Sequence, residues 1–77
     1  ITIAVDANGV WSRDEAVAAL ARLEPLRLAY VEQPTPPGDW AAFRAALAST
    51  EIPLMLDESL VGPDDVVRLA ECGPRAL

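Results

Sequence analysis

Three short apolar runs punctuate the chain, and each is closed by an acidic residue. The first is Ile1 to Val5, ending in Asp6. The second is Leu28-Ala29-Tyr30-Val31, ending in Glu32. The third is Pro53-Leu54-Met55-Leu56, ending in Asp57. The runs are continuously apolar rather than alternating, which is the pattern of a strand covered on both faces. At about five residues they are too short for core helices.

Helical stretches separate the runs and carry their own boundary signals. Ser12 and Glu15 have the spacing of a capping box, in which the Ser side chain and the third-position Glu satisfy each other's backbone N–H groups. Ala16, Val17, Leu20 and Leu23 then form one apolar stripe, and Pro25 ends the helix. Asp39 is a good cap for a second helix, whose buried face is Phe43, Ala46 and Leu47. The third starts near Gly62-Pro63. There Asp64 and Asp65 suit the positive end of the helix dipole, and Val66, Leu69 and Ala70 are expected to face inward. Gly73-Pro74 stops it, and Pro74-Arg75-Ala76-Leu77 reads as the start of another strand.

The chain therefore reads as an α/β segment of three strand–helix units, about 1–25, 26–51 and 52–77. The terminal acids lie 26 and 25 residues apart, the length of one strand, one helix and two short loops. Two parallel architectures are compatible with this order, a doubly wound open sheet and a (β/α)8 barrel of the TIM type. The first strand–helix turn, Asp6-Ala7-Asn8-Gly9-Val10-Trp11, has one Gly and lacks the G-x-G-x-x-G phosphate cradle. Near-constant repeats that each place an acid at the strand's C-terminal end favour the barrel. Three units do not close one, so the expectation is a partial barrel domain over 1–77, an internal segment incomplete at both ends.

Composition narrows the function. The chain has 77 residues, 12 acidic and 6 basic, for a net charge of −6; all six bases are Arg, and Lys and His are absent. An acidic chain is a poor partner for nucleic acid. No apolar run approaches the ~20 residues of a membrane span, and Ile1 to Val5 has no basic flank like that of a signal peptide. The single Cys72 leaves no intramolecular disulfide and fits a reducing compartment, hence the cytoplasm. Zinc sites of Cys and His, and triads that need His, are excluded within the segment.

Asp6, Glu32 and Asp57 occupy the same place in successive units. In a parallel array the C-terminal strand ends converge on one face, with neighbouring strands about 4.8 Å apart. Three close carboxylates repel one another, and a divalent cation removes that cost. Oxygen-only ligands select a hard ion, Mg2+ first, with Mn2+ as a substitute or Ca2+ next. About three of the six octahedral positions would stay open for water or substrate. The competing reading is that each acid is a helix cap or a solvated loop residue, and the chain a structural or interaction module of βα units with no catalytic metal. A metal-dependent hydrolase or phosphotransferase would need a nucleophilic Asp or a Gly-rich cradle, and the segment has no such cradle.

The words around the acids are Asp6-Ala7-Asn8-Gly9, Val31-Glu32-Gln33-Pro34 and Leu56-Asp57-Glu58-Ser59. In order and spacing they resemble the enolase superfamily, in the mandelate racemase/muconate lactonizing enzyme-like barrel. More narrowly, they resemble the branch of muconate lactonizing enzyme, o-succinylbenzoate synthase and the dipeptide epimerases. The resemblance implies that Asp6, Glu32 and Asp57 end the third, fourth and fifth barrel strands and bind one Mg2+. It also implies the reaction of a lyase or isomerase. A proton is abstracted α to a carboxylate and the enediolate is stabilised, leading to dehydration, epimerisation or cycloisomerisation of a small carboxylate substrate. The family's Lys acid and base are expected outside this segment, so the excised piece is expected to be inactive. The resemblance further implies a homo-oligomer.

Other residues invite narrower expectations. Asn8, two places past Asp6, is a candidate to hydrogen-bond a ligand carboxylate or substrate. Glu58, Gln33 and Ser59 are candidates to orient a ligand or touch the substrate. Trp11 and Trp40 read as packing anchors, Tyr30 as core, and Arg13, Arg22, Arg44 and Arg68 as solvated. Cys72 reads as a small buried apolar residue.

Overall fold

The computed structural model describes residues 3–77. Three strand–helix units follow one another: β1 (Ala4–Asp6), α1 (Arg13–Leu23), β2 (Tyr30–Glu32), α2 (Trp40–Ala48), β3 (Leu54–Met55) and α3 (Pro63–Glu71). The helices begin where the caps require. The Ser12 hydroxyl accepts from the Glu15 N–H at 3.3 Å, and the Glu15 carboxylate accepts from the Ser12 N–H at 3.0 Å. Asp39 accepts from the Ala42 N–H at 3.0 Å. Pro25 has no N–H to continue α1. The chain tightens there into a 3₁₀ turn (Glu24–Leu26), and Arg27 takes a left-handed conformation.

The strands pair in the order β1-β2-β3, all parallel. Val5 lies beside Val31, and Val31 beside Leu54. Val31 and Leu54 are fully buried, under Ala16 and Leu20 of α1 and Phe43, Ala46 and Leu47 of α2. Trp40 meets Phe43 edge-on, with centroids 6.1 Å apart, and the Arg68 guanidinium lies over the Trp40 ring. Trp11 packs against the same core. The chain end supplies the expected next pairing: Leu77 N–H donates to Leu54 O, Leu56 N–H donates to Leu77 O, and Ala76 bridges Leu54 in parallel.

Several expectations need correction. The strands are shorter than the apolar runs, and Ile1 and Thr2 lie outside the described residues. The runs are not covered on both faces. Ala4 and Asp6 are exposed and Tyr30, Glu32 and Met55 half-buried, because among the described residues the helices cover one face only. Tyr30 is accordingly half-buried rather than core. In α3, Leu69 packs against the core, but Val66 and Ala70 are exposed. The sheet beyond β3 consists of the single bridge at Ala76, so no described strand lies beneath that side of the helix.

A second set of polar contacts ties the opposite end of the units, where helices finish and strands begin. The Glu24 carboxylate accepts from the Thr50 hydroxyl at 2.8 Å and from the Glu51 N–H at 3.1 Å. The Arg75 guanidinium donates to the Leu47 carbonyl at 2.9 Å and to the Thr50 carbonyl. No described helix is long and apolar enough to cross a membrane.

Candidate metal centre

Asp6 closes β1, and its register partner on β2 is Glu32. The parallel ladder therefore sets these two carboxyl groups side by side on the open face of the sheet. Asp6 is held from behind by Asn8. The Asn8 backbone N–H donates to Asp6 Oδ1 at 2.9 Å. With the side-chain amide turned to place donor against acceptor, its nitrogen lies 3.2 Å from both Asp6 oxygens. Asn8 reaches this position through a left-handed backbone, φ 54°, which Asn tolerates better than most residues. Asn8 thus meets the Asp6 carboxylate through its backbone N–H and its turned side-chain amide.

The register partner of Glu32 on β3 is Met55, not Asp57. Asp57 follows two residues later, past the end of β3 at Met55. Equal position in each sequence repeat is therefore not equal height in the sheet: Asp6 and Glu32 are level, and Asp57 stands one pleat beyond. Among the described residues, no group of three acidic, Cys or His side chains is drawn close enough to hold a metal ion as it stands.

The electrostatics nonetheless converge on Glu32. Its carboxyl is held above the ordinary glutamate range, first by partial burial, then by the negative charge of Asp6 and of Asp57. A hydrogen bond with Asp6, which favours the protonated form, and the more distant Glu58 add to the rise. Glu58 is exposed, and its part here is that of a nearby negative charge. With no described cation among these four carboxyl groups, the donor set suits a hard divalent ion, which would relieve the mutual repulsion.

Gln33 follows Glu32 directly and is fully buried, with φ 45°. Its Oε1 accepts the Asp57 N–H at 3.1 Å. Its Nε2 donates to Ser59 Oγ and to the Thr35 carbonyl, each at 2.9 Å. The buried Ser59 hydroxyl also accepts from the Gly38 N–H at 3.1 Å. The Gln33 carbonyl accepts from the Gly9 N–H at 2.7 Å. Gln33 and Ser59 therefore touch the loop that carries Asp57.

Sequence reasoning missed the role of Gly9. It sits at φ 71°, and an added Cβ would lie 3.1 Å from Pro37 Cδ and 3.2 Å from the Thr35 carbonyl. The Asn8-Gly9 pair was the available signal, since such pairs mark left-handed turns. Thr35 was also missed. It is fully buried, and its hydroxyl has no hydrogen-bond partner among the described residues.

A family model described as enolase C-terminal domain-like matches residues 1–74. The chain belongs to the enolase C-terminal domain-like family. Among family members it is similar to an L-Ala-D/L-amino acid epimerase from a Maribacter species, 30% identical over 83 residues, covering 94% of this chain and 25% of the relative. It is 38% identical over 72 residues to an o-succinylbenzoate synthase from Thermosynechococcus vestitus, covering 90% of this chain and 22% of that protein. The fold matches the crystal structure of a dipeptide epimerase from Cytophaga hutchinsonii, complexed with Mg and the dipeptide D-Ala-L-Val. The TM-score is 0.85 at 33% identity, covering 94% of this chain and 20% of that one. These relatives are enzymes, and the chain spans about a quarter or less of their length.

Proposed function

We propose that this chain is the metal-binding segment of a Mg2+-dependent lyase or isomerase that removes a proton α to a carboxylate. Asp6, Glu32 and Asp57 are the residues that would hold the ion, with Mn2+ as a substitute. The side-by-side placement of Asp6 and Glu32, in a field of negative charge that includes Asp57, carries this reading. A cation bound there supplies fixed positive charge beside the substrate carboxylate, where negative charge builds as the α-proton leaves.

The chain's own residues prepare for that chemistry. Asn8 holds the Asp6 carboxylate in one orientation. Glu32, whose carboxyl is raised above its ordinary value by burial and by the charges of Asp6 and Asp57, stands where a bound cation would offset that repulsion. The family resemblance implies Lys residues as acid and base, and with no Lys in this sequence they would lie outside it, in a complete (β/α)8 barrel. Kinship with epimerases and an o-succinylbenzoate synthase supports a small carboxylate substrate and either epimerisation or dehydration. We place the protein in the cytoplasm, as the lone Cys72 suggests, and as a homo-oligomer.

The test uses the full-length protein. Calorimetric titration with Mg2+ should show binding that is lost in Asp57→Asn. Proton NMR in deuterated water should show Mg2+-dependent exchange at the α-carbon of dipeptides, or consumption of a β-hydroxy carboxylate by dehydration. An absence of Mg2+ binding, with Asp57→Asn indistinguishable from the parent, would leave a metal-free structural or interaction module.

A further inference from the structure

We propose that Gln33 is a positioning residue for this metal centre, a buried bracket that fixes the Asp57 loop against the loops after β1 and β2. The inference rests on the Mg2+ reading above. It is carried by how completely one side chain is used. Gln33 is 0% exposed, and its two side-chain polar atoms make three hydrogen bonds. One of these goes to the backbone of Asp57 itself, 24 residues away in sequence. Another goes to Ser59, whose hydroxyl simultaneously accepts from Gly38. The Gln33 carbonyl takes the Gly9 N–H, which closes the connection to the loop bearing Asn8 and Asp6.

The need for such a bracket follows from the register. Asp6 and Glu32 are fixed by ladder pairing, but β3 ends at Met55, before Asp57. No strand pairing of β3 with β2 sets the position of Asp57. The Gln33 side chain takes over where the ladder stops, because its amide presents an acceptor and donors as a peptide group does. Glu or Lys in its place would bury a charge, and Leu or Met would leave the Asp57 N–H without this partner.

The experiment compares three variants of the full-length protein. Gln33→Met keeps the volume and removes all three bonds. Ser59→Ala removes a single hydroxyl. Glu24→Ala breaks the comparable clasp at the opposite end of the units, far from the carboxylates. Mg2+ affinity is read by calorimetry on folded protein, and Mn2+ coordination by electron paramagnetic resonance. Gln33→Met is expected to weaken Mg2+ binding by about 10-fold or more and to broaden the Mn2+ signal. Ser59→Ala should weaken binding by a smaller factor, and Glu24→Ala should lower the Tm while leaving Mg2+ affinity unchanged. Unchanged affinity in Gln33→Met would overturn the proposal. If that variant does not fold, unchanged affinity in Ser59→Ala overturns it. An equal loss in Glu24→Ala would also overturn it, since the effect would then be general destabilisation. Failure of the parent protein to bind Mg2+ would instead sink the functional reading itself.

Discussion

The backbone N–H of Asp57 donates to Oε1 of the buried Gln33 at 3.1 Å. That bond joins a candidate ligand on the third unit to the residue immediately after a candidate ligand on the second. It carries the contact between units past the point where β3 has ended. The electrostatic burden on Glu32 and the close approach of Gly9 belong to the same junction of three loops.

Gly9→Ala should destabilise the protein. The position is left-handed, and the new methyl carbon would crowd Pro37 Cδ and the Thr35 carbonyl. A loss of about 1–2 kcal/mol is expected from the backbone alone. Urea denaturation of the two proteins checks this, and a neutral result would show that the two loops do not meet so closely.

Glu32→Gln should stabilise the metal-free protein in a pH-dependent way. The Glu32 carboxyl is raised above its ordinary value. Its favourable contribution is therefore present below the usual glutamate range and is lost as pH rises through the raised value. The variant should gain Tm over the parent at neutral pH and lose that gain in acid. Thermal scans in chelator across this range provide the measurement; a gain independent of pH would contradict the assignment.

Ser12→Ala should cost about 1 kcal/mol by removing the cap of α1. Glu15 is held below its ordinary value, first by its bond to the Ser12 backbone and then by that to the Ser12 side chain. Its contribution is present above the usual glutamate range and is lost as pH falls through the lowered value. Acid titration of the Tm should therefore be shallower in Glu15→Gln than in the parent.

Phe43→Ala should be the most damaging of these changes. Phe43 is 1% exposed, against the fully buried Val31 and Leu54 and in edge contact with Trp40. Truncations of this kind cost about 3–5 kcal/mol. Equilibrium unfolding of the variant gives the number, and a loss below 1 kcal/mol would mean that the helix layer is not packed as described.

Much of the fold was legible because its signals are local. The Ser12 and Glu15 capping box, the Asp39 cap, the stop at Pro25 and the α2 face of Phe43, Ala46 and Leu47 need only spacing and propensity. The α3 face was misread because an apolar stripe states what a helix can bury, not which strand lies beneath it. Val66 has no such strand among the described residues. Asp6, Glu32 and Asp57 stand out as candidates because apolar run, acid, loop and helix recur every 25 or 26 residues.

The sequence by itself determined the kind of chemistry available: three acids that each close an apolar run, with no His or Lys and one Cys. Residue type and order fix this, whatever the packing. The tertiary structure alone decided the heights of those acids. Parallel pairing sets Asp6 beside Glu32 but gives Glu32 the partner Met55, leaving Asp57 one pleat beyond and tied by Gln33. Register is a property of two strands together, and the side chain that spans their loops can be recognised only once both are in place.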